Sequence, residues 1–201
     1  MKYVIGLTGN IGSGKSTVLS MLDQLGAKAI DADDLVHAVM KKGRPVWQAI
    51  VDSFGDEVLT SSGDIDRKTL GSLVFDDHEA LDQLENIVHP AVDERFREII
   101  QETDEQVIAV EAVKITESGI YPELSALWLV TCAAEERLQR LLETRDVNEE
   151  EVRERLRAQM AQEEQAELAD VVIDNAGTLQ QTWEQVKREW DRIWASKWSH
   201  S

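Results

Sequence analysis

Cysteine is almost missing from this chain: its 201 residues hold one, Cys132. A single thiol cannot cross-link the chain to itself, so no disulfide framework is expected and the composition suits a reducing interior. No motif surrounds Cys132, and packing is the role expected of it. Long apolar runs are missing as well. None approaches the roughly 20 residues that a membrane-crossing helix needs. Met1-Lys2-Tyr3 leads straight into a short apolar run with no small-residue cleavage site behind it, so no secretory signal is expected. Only three prolines occur, and no stretch rich in Pro, Gly or Ser divides the chain. Positive charge is scarce: 21 Lys and Arg stand against 39 Asp and Glu, a net charge of −18. Nucleic acid and anionic membrane are therefore not expected partners, because both need a basic footprint. Four scattered histidines and one cysteine give no ligand cluster for a structural metal.

What is present alternates. "YVIGLT", "AKAIDAD", "QVIAVEAV", "ALWLVTC" and "DVVIDN" read as short strands. "KSTVLSMLDQLG" carries apolar residues at Val18, Leu19, Leu22 and Leu25, a helical spacing closed by Gly26. Residues 35–100 are mostly helical, with the turn "TSSGDID" inside. A helix is expected over about 134–143. A second, rich in Arg and Glu, is opened by Asn148 and Glu151 as an Asn form of the capping box. "TLQQTWEQVKREWDRIW" is a last helix, with Trp183, Trp190, Trp194 and Trp198 on one stripe. Ordinary packing accounts for most of that stripe. Trp194 and Trp198, nearest the end, are the ones a partner chain would cover. Strands alternating with helices argue an α/β fold with a parallel sheet. We expect one domain over 1–201, with a core of about 1–34, 105–135 and 168–195. A helical insertion (about 35–104) and a helical lid (about 136–167) complete it.

Gly9-Asn10-Ile11-Gly12-Ser13-Gly14-Lys15-Ser16 fits G-x-x-x-x-G-K-[ST], the phosphate-binding loop. Glycines let successive N–H groups point inward at phosphate oxygens. A helix starting at Lys15 offers its positive end to the same anion. Lys15 can bridge the outer phosphates, and the Ser16 hydroxyl is a natural Mg²⁺ ligand. A glycine turn would match by chance about once in a hundred chains of this length. The strand before the motif and the helix after it make that reading weaker still. A nucleoside triphosphate site is expected, with Mg²⁺ on Ser16.

Such a loop serves switches, motors and kinases alike. The guanine-reading N-K-x-D occurs nowhere, which counts against a GTPase switch. A small-molecule kinase needs a base beside the acceptor hydroxyl, an acceptor pocket and cations over the moving phosphoryl group. Asp31, Asp33 and Asp34 follow the second strand, whose carboxyl end belongs beside the loop. Asp33 is the candidate base and Asp34 the expected helix cap. Six of the twelve arginines fall between Arg137 and Arg157, where no lysine occurs. A lid closing over ATP needs such cations, whereas a solvated hairpin of Arg–Glu pairs is the bland alternative. Asp66 and Arg67 are open between acceptor contact and a structural ion pair. His89-Pro90, alone, reads as a kinked helix with a satisfied histidine.

Together these stretches resemble the dephospho-CoA kinase family. The residues that carry the likeness, from about residue 2 to 192, are "IGLTGNIGSGKSTV", "DADDLVH", "GDIDRKTLGSLVF", "LENIVHP", "ESGIY", "RLRAQM" and "ADVVIDNAGTL". The resemblance implies a three-layer P-loop kinase fold with a parallel five-stranded sheet, a helical acceptor-binding insertion and a helical lid. It implies transfer of phosphate from ATP to the ribose 3′-hydroxyl of dephospho-CoA, giving coenzyme A and ADP in the cytoplasm, by a monomer or weak homo-oligomer. Other small-molecule kinases and a nucleotide-binding regulator are the alternatives. Carried onto this chain, it makes Gly12, Ser13, Gly14, Lys15, Ser16 and Thr17 the ATP phosphate site, with Ser16 on Mg²⁺. It gives Lys15, Asp33 and Arg140 catalytic roles. His89, Glu117, Arg155 and Gln159 become acceptor or lid contacts, and Asn175 and Gly177 part of the adenine surroundings. Two departures stand out. "VEAVKITESG" replaces the family's Pro-Leu-Leu run, adding Glu111 and Lys114, which either pair with each other or rebuild part of the acceptor pocket. Arg145 lies five residues after Arg140, where the family often has four.

Overall fold

The structure is a computed structural model and describes residues 2–75, 77–112, 115–144 and 162–197. The side chains of Glu117, Arg140, Glu143, Thr144, Gln162 and Glu163 lie outside that description, as do all other residues. Two compact units emerge, one of residues 1–30, 104–117 and 121–201, the other of 31–103 with 118–120.

The first unit is built on a five-stranded parallel sheet in the order β2-β3-β1-β4-β5. Its strands are β1 (Tyr3–Thr8), β2 (Lys28–Asp31), β3 (Val107–Glu111), β4 (Ala126–Thr131) and β5 (Val171–Asp174). The helices with it are α1 (Lys15–Gln24), α6 (Ala134–Thr144), α7 (Gln162–Leu168) and a last helix, α8 (Leu179–Lys197). β1 occupies the middle and pairs in parallel with β3 on one side and β4 on the other. Its register aligns alternate residues into one apolar face. Ile5 stands opposite Ala109 and Ala126, and Leu7 stands opposite Trp128. These residues join Val18 and Leu22 of α1 in a single buried cluster. Val186, Trp190 and Ile193 of the last helix complete it, at the i, i+4, i+7 spacing that turns three side chains to one side. Two of the expected stripe tryptophans therefore have a packing role, since Trp183 also lies against this cluster. Trp194 meets Trp190 in a tilted ring contact, centroids 5.9 Å apart, and stays partly exposed, and Trp198 lies outside the described residues. Cys132 is buried, as a packing residue should be.

Asp170 explains why a carboxylate sits just ahead of β5. Its Oδ2 accepts from the Leu127 amide at 2.8 Å, and its own amide donates to the Leu127 carbonyl at 2.8 Å. That pair sets the start of the β4–β5 ladder, one residue before Trp128 meets Val171. The Asp170 charge and, more strongly, burial raise the Tyr3 hydroxyl pKa above its usual value.

The second unit is helical. α2 (Ala32–Val39), α3 (Pro45–Phe54) and α4 (Arg67–Phe75) pack on α5 (His78–Glu102), the longest helix described. Asp77 opens α5, its carboxylate accepting from the Glu79 and Ala80 amides at 3.0 Å. Asp66 does the same for α4. It accepts from the Lys68 and Thr69 amides, and the Thr69 amide bond comes first in holding its pKa below the usual carboxylate range. Asp66 thus serves as a helix cap, a role outside the two left open for it. Val88, Val92 and Phe96 form the buried stripe of α5 at i, i+4, i+8. Phe96 is fully buried. Phe96→Ala is expected to lower unfolding free energy by about 3–5 kcal/mol, read from urea midpoints. A loss under about 1 kcal/mol would show that this unit is not organised around that ring.

Candidate functional site

The phosphate-loop motif leaves the carboxyl end of the middle strand. The connection out of β1 goes to the β2 edge and that out of β4 to the β5 edge, so the two diverge at this end and open a crevice. Gly9 makes the first turn with φ of +142°, and a side-chain carbon there would come within 2.4 Å of the Val130 carbonyl oxygen. Only glycine lets the loop lie this close to β4. Gly14 is the cap residue of α1 and provides no side-chain hydrogen bond to the helix. No acidic residue stands in the first turn of α1. The positive end of the helix is therefore left for an incoming anion. By contrast, α2 carries Asp33 and Asp34 in its first turn.

Lys15 begins α1 as expected, buried, its ammonium donating to the Gly9 carbonyl at 2.9 Å. Glu111 Oε1 stands 4.0 Å from the same Nζ. The strand register explains this meeting. Glu111 is opposite Leu7, and alternation puts both on the sheet face that α1 covers. Glu111 therefore meets Lys15 of the loop. Lys114, the partner considered for it from spacing, lies outside the described residues. Ser16 is exposed and Thr17 half-buried beside Lys15.

Two long-range contacts hold the loop in shape. Asn175, 4% exposed, donates from Nδ2 to the Ser13 carbonyl at 2.8 Å and accepts from the Thr182 hydroxyl at 2.9 Å. Its amide donates to the Thr131 carbonyl at 2.8 Å, tying the end of β5 to β4. Asn10 accepts from Gln165 Nε2 of α7 at 2.9 Å. Gly177 sits in the turn before the last helix. There Thr178 and Gln181 exchange hydrogen bonds between side chain and amide, a Thr-x-x-Gln capping box.

The second unit carries Asp31, Asp33, Asp34 and His89. Asp31, not Asp34, caps α2: its Oδ1 accepts from the Asp33 amide at 2.8 Å. β2 stops at Asp31 and α2 starts at Ala32, three residues earlier than an Asp34 cap requires, so the first free amides belong to Asp33 and its neighbours. Asp33 is exposed, and Asp34 lies 4.0 Å from His37, one turn along. His89 is an exposed residue of α5, which continues through Pro90. Asp93, one turn after His89, stands against Gly119, where a side-chain carbon would land on its carboxylate. Asp93 and Gly119 are thus adjacent in this unit. Glu117 and Arg140 have described backbones only. Arg155, Gln159 and Arg145 lie outside the described residues.

A phosphate loop at the middle strand of such a sheet, with its lysine at the helix start, defines a P-loop nucleotide site of the kinase type. The family model for dephospho-CoA kinase matches residues 3–181. A dephospho-CoA kinase of Aquifex aeolicus is 40% identical over 190 residues, spanning 94% of this chain and 96% of that one. Among solved structures, TT1252 from Thermus thermophilus superposes with a TM-score of 0.85 at 33% identity, covering 96% and 97% of the two chains. The dephospho-CoA kinase of Campylobacter jejuni gives 0.71 at 28%, covering 96% and 98%. The chain belongs to the dephospho-CoA kinase family, and its fold is the P-loop kinase fold. Among the described residues no helix is long and apolar enough to cross a membrane.

The Asn175 contacts generate a prediction. Asn175→Ala removes two buried hydrogen bonds and leaves the Ser13 carbonyl without that donor. We expect about 1–3 kcal/mol of lost stability and weaker ATP binding in an equilibrium titration. Unchanged ATP affinity would show that the loop keeps its shape without Asn175.

Proposed function

We propose that this chain transfers the γ-phosphoryl group of ATP to the ribose 3′-hydroxyl of dephospho-CoA, forming coenzyme A and ADP. The observation that carries the reading is the glycine loop on the uncapped start of α1, with Lys15 at its first position, in a chain of this family. In the reaction the 3′-oxygen forms a bond to the γ-phosphorus. The bond from that phosphorus to the β–γ bridging oxygen breaks, and ADP leaves with the electron pair. The hydroxyl proton passes to the Asp33 carboxylate, which its place just after β2 supports.

Loop amides of residues 12–17 and the α1 dipole bind the phosphate tail, which carries most of the ligand's charge. Lys15 leaves the Gly9 carbonyl to meet the outer phosphates as charge builds on them. The exposed Ser16 hydroxyl and the Glu111 carboxylate are hard oxygen donors of the kind Mg²⁺ takes, so the residues present fit that ion. Bound there, Mg²⁺ would neutralise phosphate charge. Arg140, Arg155 and Gln159 belong to a lid over about 136–167 that covers the nucleotide, and Asn175 and Gly177 border its adenine. His89 and Glu117 contact the acceptor in the helical insertion. We place the enzyme in the cytoplasm, as a monomer or weak homo-oligomer.

Product analysis tests this directly. Dephospho-CoA with Mg-ATP should yield a 3′-phosphorylated product far faster than AMP, adenosine or gluconate does. Equal turnover of AMP would defeat the reading, and tight ATP binding with no acceptor turned over would favour a regulator. Asp33→Asn should lower kcat by a factor on the order of 10² to 10⁴ with ATP affinity little changed; near-normal kcat would reduce Asp33 to a helix-end residue.

A further inference from the structure

Arg137 is the one arginine of the 137–157 cluster whose side chain the structure describes, and it is 8% exposed. Its Nε and Nη1 are buried without a hydrogen-bond partner, and among the described residues no carboxylate pairs with it. A guanidinium with two of its three nitrogens in that state is expensive, because the hydration lost at those two is not returned. Such a group is tolerated where a partner arrives later.

Its position says which partner. The Arg137 carbonyl oxygen and the Leu141 side chain both come within 3.2 Å of a carbon placed on Gly12. Residues 137 and 141, four apart, share the face of α6 that rests on the phosphate loop. Side chains on a helix lean toward its N-terminus. That lean aims the Arg137 side chain toward the start of α6, which follows the carboxyl end of β4 by three residues. Two further buried atoms without partners cluster at the same loop. One is Ser13 Oγ of the loop itself; the other is Gln165 Oε1, whose amide group holds Asn10. The unmet polar capacity collects where Gly12 and Ser13 would meet phosphate.

We propose that Arg137 is a nucleotide-binding residue, its guanidinium completing its hydrogen bonds on the phosphates of the bound nucleoside triphosphate. This rests on the ATP-site reading above and adds a cation that the motif does not contain. It also gives the ligand-free enzyme a stored cost that nucleotide binding relieves. Charged hydrogen bonds of this kind are worth on the order of 10- to 100-fold in affinity.

The test compares wild type, Arg137→Met and Arg137→Lys by equilibrium titration with ATP and with adenosine, and by thermal unfolding without ligand. We expect Arg137→Met to bind ATP about 10- to 100-fold more weakly, to bind adenosine as wild type does, and to melt no lower than wild type. Arg137→Lys, which keeps the charge, should recover part of the loss. The Michaelis constant for dephospho-CoA should not move. Wild-type ATP affinity in Arg137→Met would overturn the assignment. So would an equal loss for adenosine, or a loss confined to the acceptor. A wild-type chain that binds no ATP would be a different result, removing the kinase reading itself.

Discussion

The account rests on an electrostatic asymmetry at the start of one helix. α1 begins at Lys15 with a glycine cap that donates nothing from a side chain and with no carboxylate in its first turn. A chain of net charge −18 has acids to spare, and it spends them on other helix starts: Asp31 on α2, Asp66 on α4, Asp77 on α5. Among the described helices α1 and α3 start without a capping side chain or an acid; α3 opens on Pro45, which has no amide N–H to satisfy, and α1 opens out of the phosphate loop. An anion there recovers both the dipole interaction and the amide hydrogen bonds that other helices obtain from their own side chains.

That local arrangement also explains how so acidic a protein is suited to a polyanion. At long range the net charge repels nucleotide, but screening confines exposed charges to roughly 8 Å at physiological salt. Inside that distance the loop presents backbone dipoles and the buried Lys15 ammonium, with Arg137 added if the proposal above holds. Glu111 beside Lys15 keeps the lysine near the loop while no phosphate is bound. The site is thus built from buried charges at short range, where a low local dielectric makes each of them count.

Much of this was legible along the chain because it is local. The loop follows a strand and opens a helix within a span of about 20 residues, and both period-2 and helical spacing are short-range signals. The parallel sheet followed from alternation alone. What stayed hidden depends on register and on contacts across the sequence. Glu111 meets Lys15 because β3 pairs with β1 with Leu7 opposite Glu111, and nothing in "VEAVKITESG" states that register. Asn10 and Gln165 stand 155 positions apart. Asp34 looked like the cap because three aspartates follow β2 together, and only the point where the strand stops selects Asp31. Arg137 was one of six arginines in its segment, and burial sets it apart from a solvated Arg–Glu surface.

The most direct test of the central claim is amide hydrogen exchange with and without Mg-ATP. If the loop and the bare start of α1 bind the phosphate tail, amides of residues 9 to 17 should become strongly protected on nucleotide addition, while those at the capped start of α4 barely change. Unaltered exchange across residues 9 to 17 at saturating ATP would mean that the nucleotide is held elsewhere.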